Sequence, residues 1–170
     1  ILLRPYLLSS PTKDSTMNLQ NAVVLVTGAN RGLGQAFVDA LRAAGARKVY
    51  AGARDPSSIT LTGVVPVRLD VTDAADIAAA VQACPDLTLL INNAGISRGS
   101  SLLAPGSADA ARAEFETNFF GPLALSQAFA PVLKANGGGA IVNVLSVLSC
   151  PSLPGVATYS ASKSAACSLT

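Results

Sequence analysis

Histidine and tryptophan are absent from the 170 residues, and aromatic side chains make up only 5% of them. Without an imidazole there is no Ser-His-Asp or Cys-His nucleophile system and no His-based metal site, so no metal is expected. Cysteine is scarce too: Cys84, Cys150 and Cys167 are odd in number, far apart and without zinc-site spacing. They read as reduced packing thiols of a cytoplasmic protein. Charged residues are few (13%) and the net charge is +2, too small and diffuse to point to nucleic acid. No run of 18 apolar residues occurs, so no membrane span is expected.

What the chain does have is hydrophobic residues, half of the total. That share disfavours disorder and fits strands buried on both faces. Residues 1–16 stand apart. Their apolar runs are split by Arg4-Pro5, they lack the order of a signal peptide, and Met17 offers a natural start. They are expected to be a leader without order, leaving 17–170 as one domain. Within it, Val23–Thr27 is a short, β-branched apolar run. Leu33, Phe37, Val38 and Leu41 follow at helical spacing in a segment that Gly45 closes. Further strands are predicted over 48–52, 64–69, 87–91 and 140–145. Helices are predicted from an Asp73 cap to Ala83, from a Ser107 cap, over 118–135, and from Tyr159 onward. This alternation implies right-handed βαβ units and an α/β fold, a doubly wound parallel sheet of the Rossmann type.

The first strand runs into Thr27-Gly28-Ala29-Asn30-Arg31-Gly32-Leu33-Gly34, and a helix begins inside that run. Glycines let the backbone turn sharply and approach a pyrophosphate closely, and a helix N-terminus offers it free N–H groups. The spacing G-x-x-x-G-x-G differs from the G-x-G-x-x-G of the usual dinucleotide fingerprint. It resembles instead the cofactor motif of the classical short-chain dehydrogenases/reductases. Asn92-Asn93-Ala94-Gly95, after the fourth strand, is similar to that family's second signature. From Asn21 onward the elements and motifs fall in the family's order. The resemblance implies that Thr27, Gly28, Asn30, Arg31, Gly32, Leu33, Gly34, Val71, Asn92, Ala94 and Gly95 bind a nicotinamide dinucleotide, while Asn93 holds strands together.

The second strand ends Ala51-Gly52-Ala53-Arg54, with no acid to bond a ribose 2′-hydroxyl. Arg54 offers a planar fork to a 2′-phosphate. Arg31 sits in the first turn of a helix, where a cation opposes the dipole at about 0.3–1 kcal/mol unless an anion lies nearby. Together they favour NADP(H) over NAD(H). Asp70 resembles the family's adenine-binding acid, or it is simply a loop cap.

Tyr159 and Lys163 are four apart, one helical turn, on one face. An ammonium so placed favours the phenolate of a neighbouring tyrosine. Ser146 lies thirteen residues upstream at a strand end; strand carboxyl ends line the ligand crevice of such sheets. With no histidine to activate it, Ser146 reads as a hydrogen-bond donor to a substrate oxygen rather than a nucleophile. Ser149 competes, but its spacing to Tyr159 is wrong by three. The family often carries a serine before this position, where Leu145 stands here. Asn118 resembles the family's fourth catalytic member, supporting a water relay to the lysine; it also reads as a helix N-cap. The resemblance thus implies hydride transfer between the nicotinamide and a small carbonyl or alcohol, with Asn118, Ser146, Tyr159 and Lys163 as catalytic residues; Tyr159 and Lys163 would also touch the cofactor.

The chain stops eleven residues after Tyr159. The family continues with the rest of that helix, two more strands and a substrate-covering segment that often builds a homo-oligomer. Without them the fifth strand is expected to be an exposed edge, and the Tyr159 helix to lack packing partners. A catalytically silent dinucleotide-binding piece is therefore the alternative reading.

Overall fold

Strands and helices alternate as expected in the computed structural model, which describes residues 3–7 as backbone and residues 18–170 with side chains. In chain order the elements are β1 (Leu3–Leu7), β2 (Val23–Thr27), α1 (Gly32–Ala43), β3 (Lys48–Ala53), β4 (Val65–Arg68), α2 (Ala74–Ala83), β5 (Leu89–Asn92), α3 (Ser107–Phe115), α4 (Gly121–Ala135), β6 (Ala140–Val144) and α5 (Ala157–Cys167). The sheet order is β1-β6-β5-β2-β3-β4. β2 to β6 run parallel, so the chain is doubly wound. β2 has β3 on one side and β5 on the other, the point where the winding reverses and where such sheets bind ligands.

β2 is buried along its whole length, and its period of two feeds two cores. Val23 and Leu25 join Leu87, Leu125, Phe129 and Leu133 in one. Val24 and Val26 join Val38 and Leu41 of α1 in the other. Burying one such side chain contributes roughly 1.5–3 kcal/mol, which is why an unbroken apolar strand sits at the centre of the sheet. Local signals fix the ends. Gly45 takes φ +84° and ends α1 with bonds from Gly45 N–H to Arg42 O and Ala46 N–H to Leu41 O. Asp73 caps α2 by accepting from Ala75 and Asp76 N–H.

Several expectations need correction. Leu3–Leu7 lie in the stretch expected to be an unordered leader; they form β1, antiparallel to β6, with Leu3 opposite Val144 and Leu7 opposite Ala140. The β6 edge is therefore paired rather than exposed, because its row of N–H and C=O groups takes any extended backbone as a partner. The rest of the expected leader, and Met17, lie outside the described residues. Ser107 does not cap α3; Gly106, at φ +78°, occupies the cap with no side-chain bond. Asn118 does not begin a helix either, since α3 continues through a π-helical turn, Glu116–Phe120, into α4. Helix α5 does have partners, α3 and the turn after β6. Of the three free cysteines only Cys84 is buried, where loss of solvent pushes its thiol up to about 12. Cys150 is exposed and Cys167 half-buried.

Candidate active site

Beyond the carboxyl ends of β2 to β5 lies a cavity of about 1120 Å³. The glycine turn forms its floor. Gly28 and Gly32 hold φ +65° and +54°, a conformation that costs other residues about 1–2 kcal/mol. A Cβ on Gly34 would run into the Gly28 carbonyl oxygen, whereas one on Gly32 would meet nothing within 4 Å. The turn is therefore close-packed behind and open towards the cavity. Helix α1 starts at Gly32 with no side chain capping its N-terminus. Its first-turn N–H groups face the space where an anion is stabilised. These residues fit a dinucleotide pyrophosphate.

Arg31 and Arg54 line the same cavity, both exposed. Neither forms an ion pair among the described residues. Asn30 lines it too and donates through Nδ2 to Ser58 Oγ (3.1 Å), joining the glycine turn to the loop after β3. Asp70 is both a lining residue and a loop cap. Its Oδ1 accepts from Thr72 N–H (3.0 Å) and Oγ1 (2.8 Å), and these bonds, chiefly the backbone one, hold its carboxyl below the usual range. Leu33, Val71, Ala94 and Gly95 complete the expected lining.

A second cavity of about 450 Å³ shares Leu33, Asn93, Gly95, Ile96 and Ser97 with the first. Ser146, Tyr159 and Lys163 line it together. Ser146 caps a short 3-10 turn: its Oγ accepts from Leu148 N–H (3.1 Å) while Ser149 Oγ accepts from Ser146 N–H (3.2 Å). Ser149 thus props Ser146. Tyr159 is half-buried on α5. Lys163 is 6% exposed, and its Nζ donates to the Val144 carbonyl (2.8 Å). Burial lowers its pKa to about 8. A Cβ at position 95 would come within 3.5 Å of that nitrogen and 3.1 Å of Asn118 Oδ1, so glycine leaves the lysine open to the cavity.

Asn118 is 1% exposed and its amide is fully used. Oδ1 accepts from Ile96 N–H (2.8 Å); Nδ2 donates to Ile96 O (2.8 Å) and Ser162 Oγ (2.9 Å). Its main-chain carbonyl differs. The residue four further on, Pro122, carries no N–H, so that carbonyl lacks its regular helical donor.

Two expected cofactor residues, Thr27 and Asn92, line neither cavity. Thr27 is buried, and its Oγ1 accepts from Asn93 N–H (3.0 Å) and Ala94 N–H (2.9 Å), fixing the β5 loop. Asn92 joins β5 to β6 through Nδ2 to Asn143 Oδ1 (2.8 Å). Asn93 joins strands as expected, donating to Thr27 O (2.8 Å), and it also lines both cavities, whereas Asn92 lines neither. β5 ends one residue later than predicted, and neighbours on a strand point to opposite faces. Ser58 and Thr72, also lining residues, are not expected from the sequence, whereas Ile96–Arg98 belong to the Ser/Gly-rich stretch 96–106 expected to flank the site. All of them sit on loops whose composition is generic. Among the described residues no group of acidic, cysteine or histidine side chains is arranged to hold a metal. No described helix is long and apolar enough to cross a membrane.

A glycine turn at the winding reversal, an uncapped helix N-terminus above it and a Ser-Tyr-Lys cavity beside it define a protein that binds a nicotinamide dinucleotide. The family model for short chain dehydrogenases matches residues 22–170, and the chain belongs to the short-chain dehydrogenase/reductase family of oxidoreductases. Dehydrogenase/reductase SDR family member 7B of Mus musculus is 38% identical over 164 residues, 86% of this chain and 50% of that protein. A short chain dehydrogenase from Burkholderia cenocepacia, solved in complex with NADP, is 48% identical with a TM-score of 0.86, over 91% of this chain and 65% of that one. A family member from Burkholderia phymatum, solved with NAD, is 30% identical with a TM-score of 0.80, over 91% of this chain and 59% of that one. The chain therefore spans about half to two thirds of these relatives' lengths.

Proposed function

We propose that the chain is the cofactor-binding and catalytic part of an NADP(H)-dependent oxidoreductase that interconverts a small carbonyl compound and its secondary alcohol. The carrying observation is that Ser146, Tyr159 and Lys163 line one cavity that shares Leu33, Asn93, Gly95, Ile96 and Ser97 with the dinucleotide cavity. The bound nicotinamide supplies or accepts the hydride. Ser146, held at its backbone by Ser149, donates to the substrate oxygen and orients the carbonyl. Tyr159 gives its phenolic proton to that oxygen during reduction and takes it back during oxidation. Lys163, one turn away, holds positive charge beside Tyr159 and bonds the cofactor ribose. Its pKa of about 8 lets it exchange a proton near neutral pH. The Asn118 carbonyl accepts from a water that links Lys163 to solvent.

The preference for NADP(H) rests on Arg31 and Arg54 at the cavity wall, with Ala53 where an acid would repel a 2′-phosphate. The NADP-bound relative supports it, while the NAD-bound one shows that the fold alone does not decide. A cytoplasmic homo-oligomer belongs to the same reading; the three free cysteines favour a reducing compartment.

Titrating the chain with NADPH and NADH by fluorescence, then assaying a panel of carbonyls, tests this. The expected result is tighter binding of NADPH. In the longest natural form of the protein, Tyr159→Phe should abolish most turnover, about 10²–10⁴-fold, while leaving NADPH binding intact. Undiminished turnover rules out the assignment of Tyr159. NADPH binding without turnover by the 170-residue chain favours the second reading, a catalytically silent dinucleotide-binding piece.

A further inference from the structure

Glu114 is 0% exposed, the one buried carboxylate among the described residues. Its Oε1 accepts from the Arg98 N–H at 2.6 Å, and its Oε2 has no partner. A buried carboxyl is costly to keep, and an apolar side chain would fill the same space without stranding an oxygen. The bond to Arg98 is the one contact that calls for an acceptor at this place.

The geometry around it repeats. Glu114 and Asn118 are four residues apart along the α3–α4 helix, and both reach the same extended segment. Asn118 holds Ile96 by N–H and C=O, and Glu114 holds Arg98 by N–H. Ile96 and Arg98 are alternate residues, so their backbone groups face the helix on one side, as successive groups on a strand face its neighbour. Among the described residues, no backbone–backbone bond holds Ile96 to Arg98. Two side chains do what a neighbouring strand would do. The segment they hold is a wall common to the two cavities: Ile96 and Ser97 line both, and Arg98 lines the larger.

We propose that Glu114 is a positioning residue which, paired with Asn118, fixes the Ile96–Arg98 wall and so sets the shape of the wall that the dinucleotide cavity and the Ser146–Tyr159 cavity share. The inference rests on the function proposed above for what those cavities hold. It assigns Glu114 a hydrogen-bond acceptor role that needs one oxygen, and a neutral amide provides that oxygen equally.

Glu114→Gln and Glu114→Leu in the 170-residue chain test it by two readouts. Hydrogen exchange of the peptide containing Arg98, followed by mass spectrometry, reads the hold on the wall directly. NADPH titration reads its consequence. The leucine variant should speed exchange at Arg98 and raise the NADPH Kd, each by about ten-fold, while the glutamine variant stays within about three-fold of wild type. Should the leucine variant fail to fold, Glu114→Asp, which draws the oxygen back by one methylene, carries the same expectation. Unchanged Arg98 exchange in the leucine or aspartate variant overturns the proposal. So does a glutamine variant as impaired as leucine, which would make charge, not acceptance, the point. If the wild-type chain binds no NADPH, the functional reading fails while the exchange experiment still reports on the wall.

Discussion

The two ends of the parallel sheet treat polar groups in opposite ways. At the amino end, Asp86 Oδ2 accepts from Lys48 Nζ (2.7 Å) and Oδ1 from Tyr50 Oη (2.7 Å), while Lys48 also reaches Tyr50 Oη (3.2 Å). Burial alone would raise the Asp86 pKa, but the bonds from Lys48 and Tyr50 outweigh it and hold the carboxyl below its ordinary value. The bond to Asp86 pulls Lys48 upward in turn. Every member has a partner. At the carboxyl end, Arg31 and Arg54 face a cavity without an ion pair among the described residues, and no side chain caps the N-terminus of α1. A polar cluster closed on itself serves the fold; groups left open around a shaped cavity are available to a ligand.

Substitutions at each end should break that contrast in different observables. Gly34→Ala has the largest expected effect: the added methyl meets the Gly28 carbonyl, the turn must move, and NADPH affinity should fall more than about 100-fold by fluorescence titration. Near-normal binding would remove the glycine turn as the pyrophosphate floor. Arg54→Ala should weaken NADPH by roughly 10–100-fold, leave NADH almost unchanged, and not alter the melting temperature. Equal losses for both cofactors would mean that Arg54 does not read the 2′-phosphate.

Asp86→Asn should do the reverse, lowering Tm by a few degrees with no change in NADPH affinity. Because the folded pKa of Asp86 is depressed, its contribution is present above the ordinary carboxylate range and is lost as pH falls through the lowered value. The asparagine variant should therefore lose less stability than wild type on acidification. The effect confined to the narrowest pH range concerns Lys163, whose folded pKa of about 8 lies below the ordinary 10.5. Between those values the unfolded chain binds the extra proton, so wild type should gain stability relative to Lys163→Met as pH rises through that window. A flat difference between the two melting curves would show that Lys163 is solvated.

The parts of this arrangement legible in the sequence were those that local chemistry dictates. The apolar run Val23–Thr27, the glycine spacing, the Gly45 stop and the Asp73 cap each act within a few residues, and the structure forms all of them. Ser146, Tyr159 and Lys163 stand out through their spacing together with the family resemblance, and they share a cavity. What escaped depends on contacts between distant segments. Asn92 and Asn93 are adjacent and alike, and a one-residue shift in the end of β5 decides which faces the cavities. Glu114 reads as an ordinary helical surface acid until α3 packs beside the β5 loop. The π-helical turn at Glu116–Phe120 leaves the spacing of polar and apolar residues nearly unchanged, so Asn118 passed for a helix start. Leu3–Leu7 became a strand through the long-range demand of the β6 edge, to which composition is blind.

The missing N–H of Pro122 has a practical consequence for assigning roles by mutagenesis. Asn118 has two halves that answer to different positions in the sequence. Its amide is spent on Ile96 and Ser162, so replacing residue 118 dismantles the scaffold and reports on architecture. The carbonyl proposed to take part in the relay belongs to the main chain, and every amino acid at position 118 would carry it. What removes the α-helical donor to that carbonyl is a proline four residues away. A scan that scores each residue by its own side chain would assign the proposed relay to the Asn118 amide and record Pro122 only as a helix constraint, although it is Pro122 that withholds an N–H from the carbonyl in question.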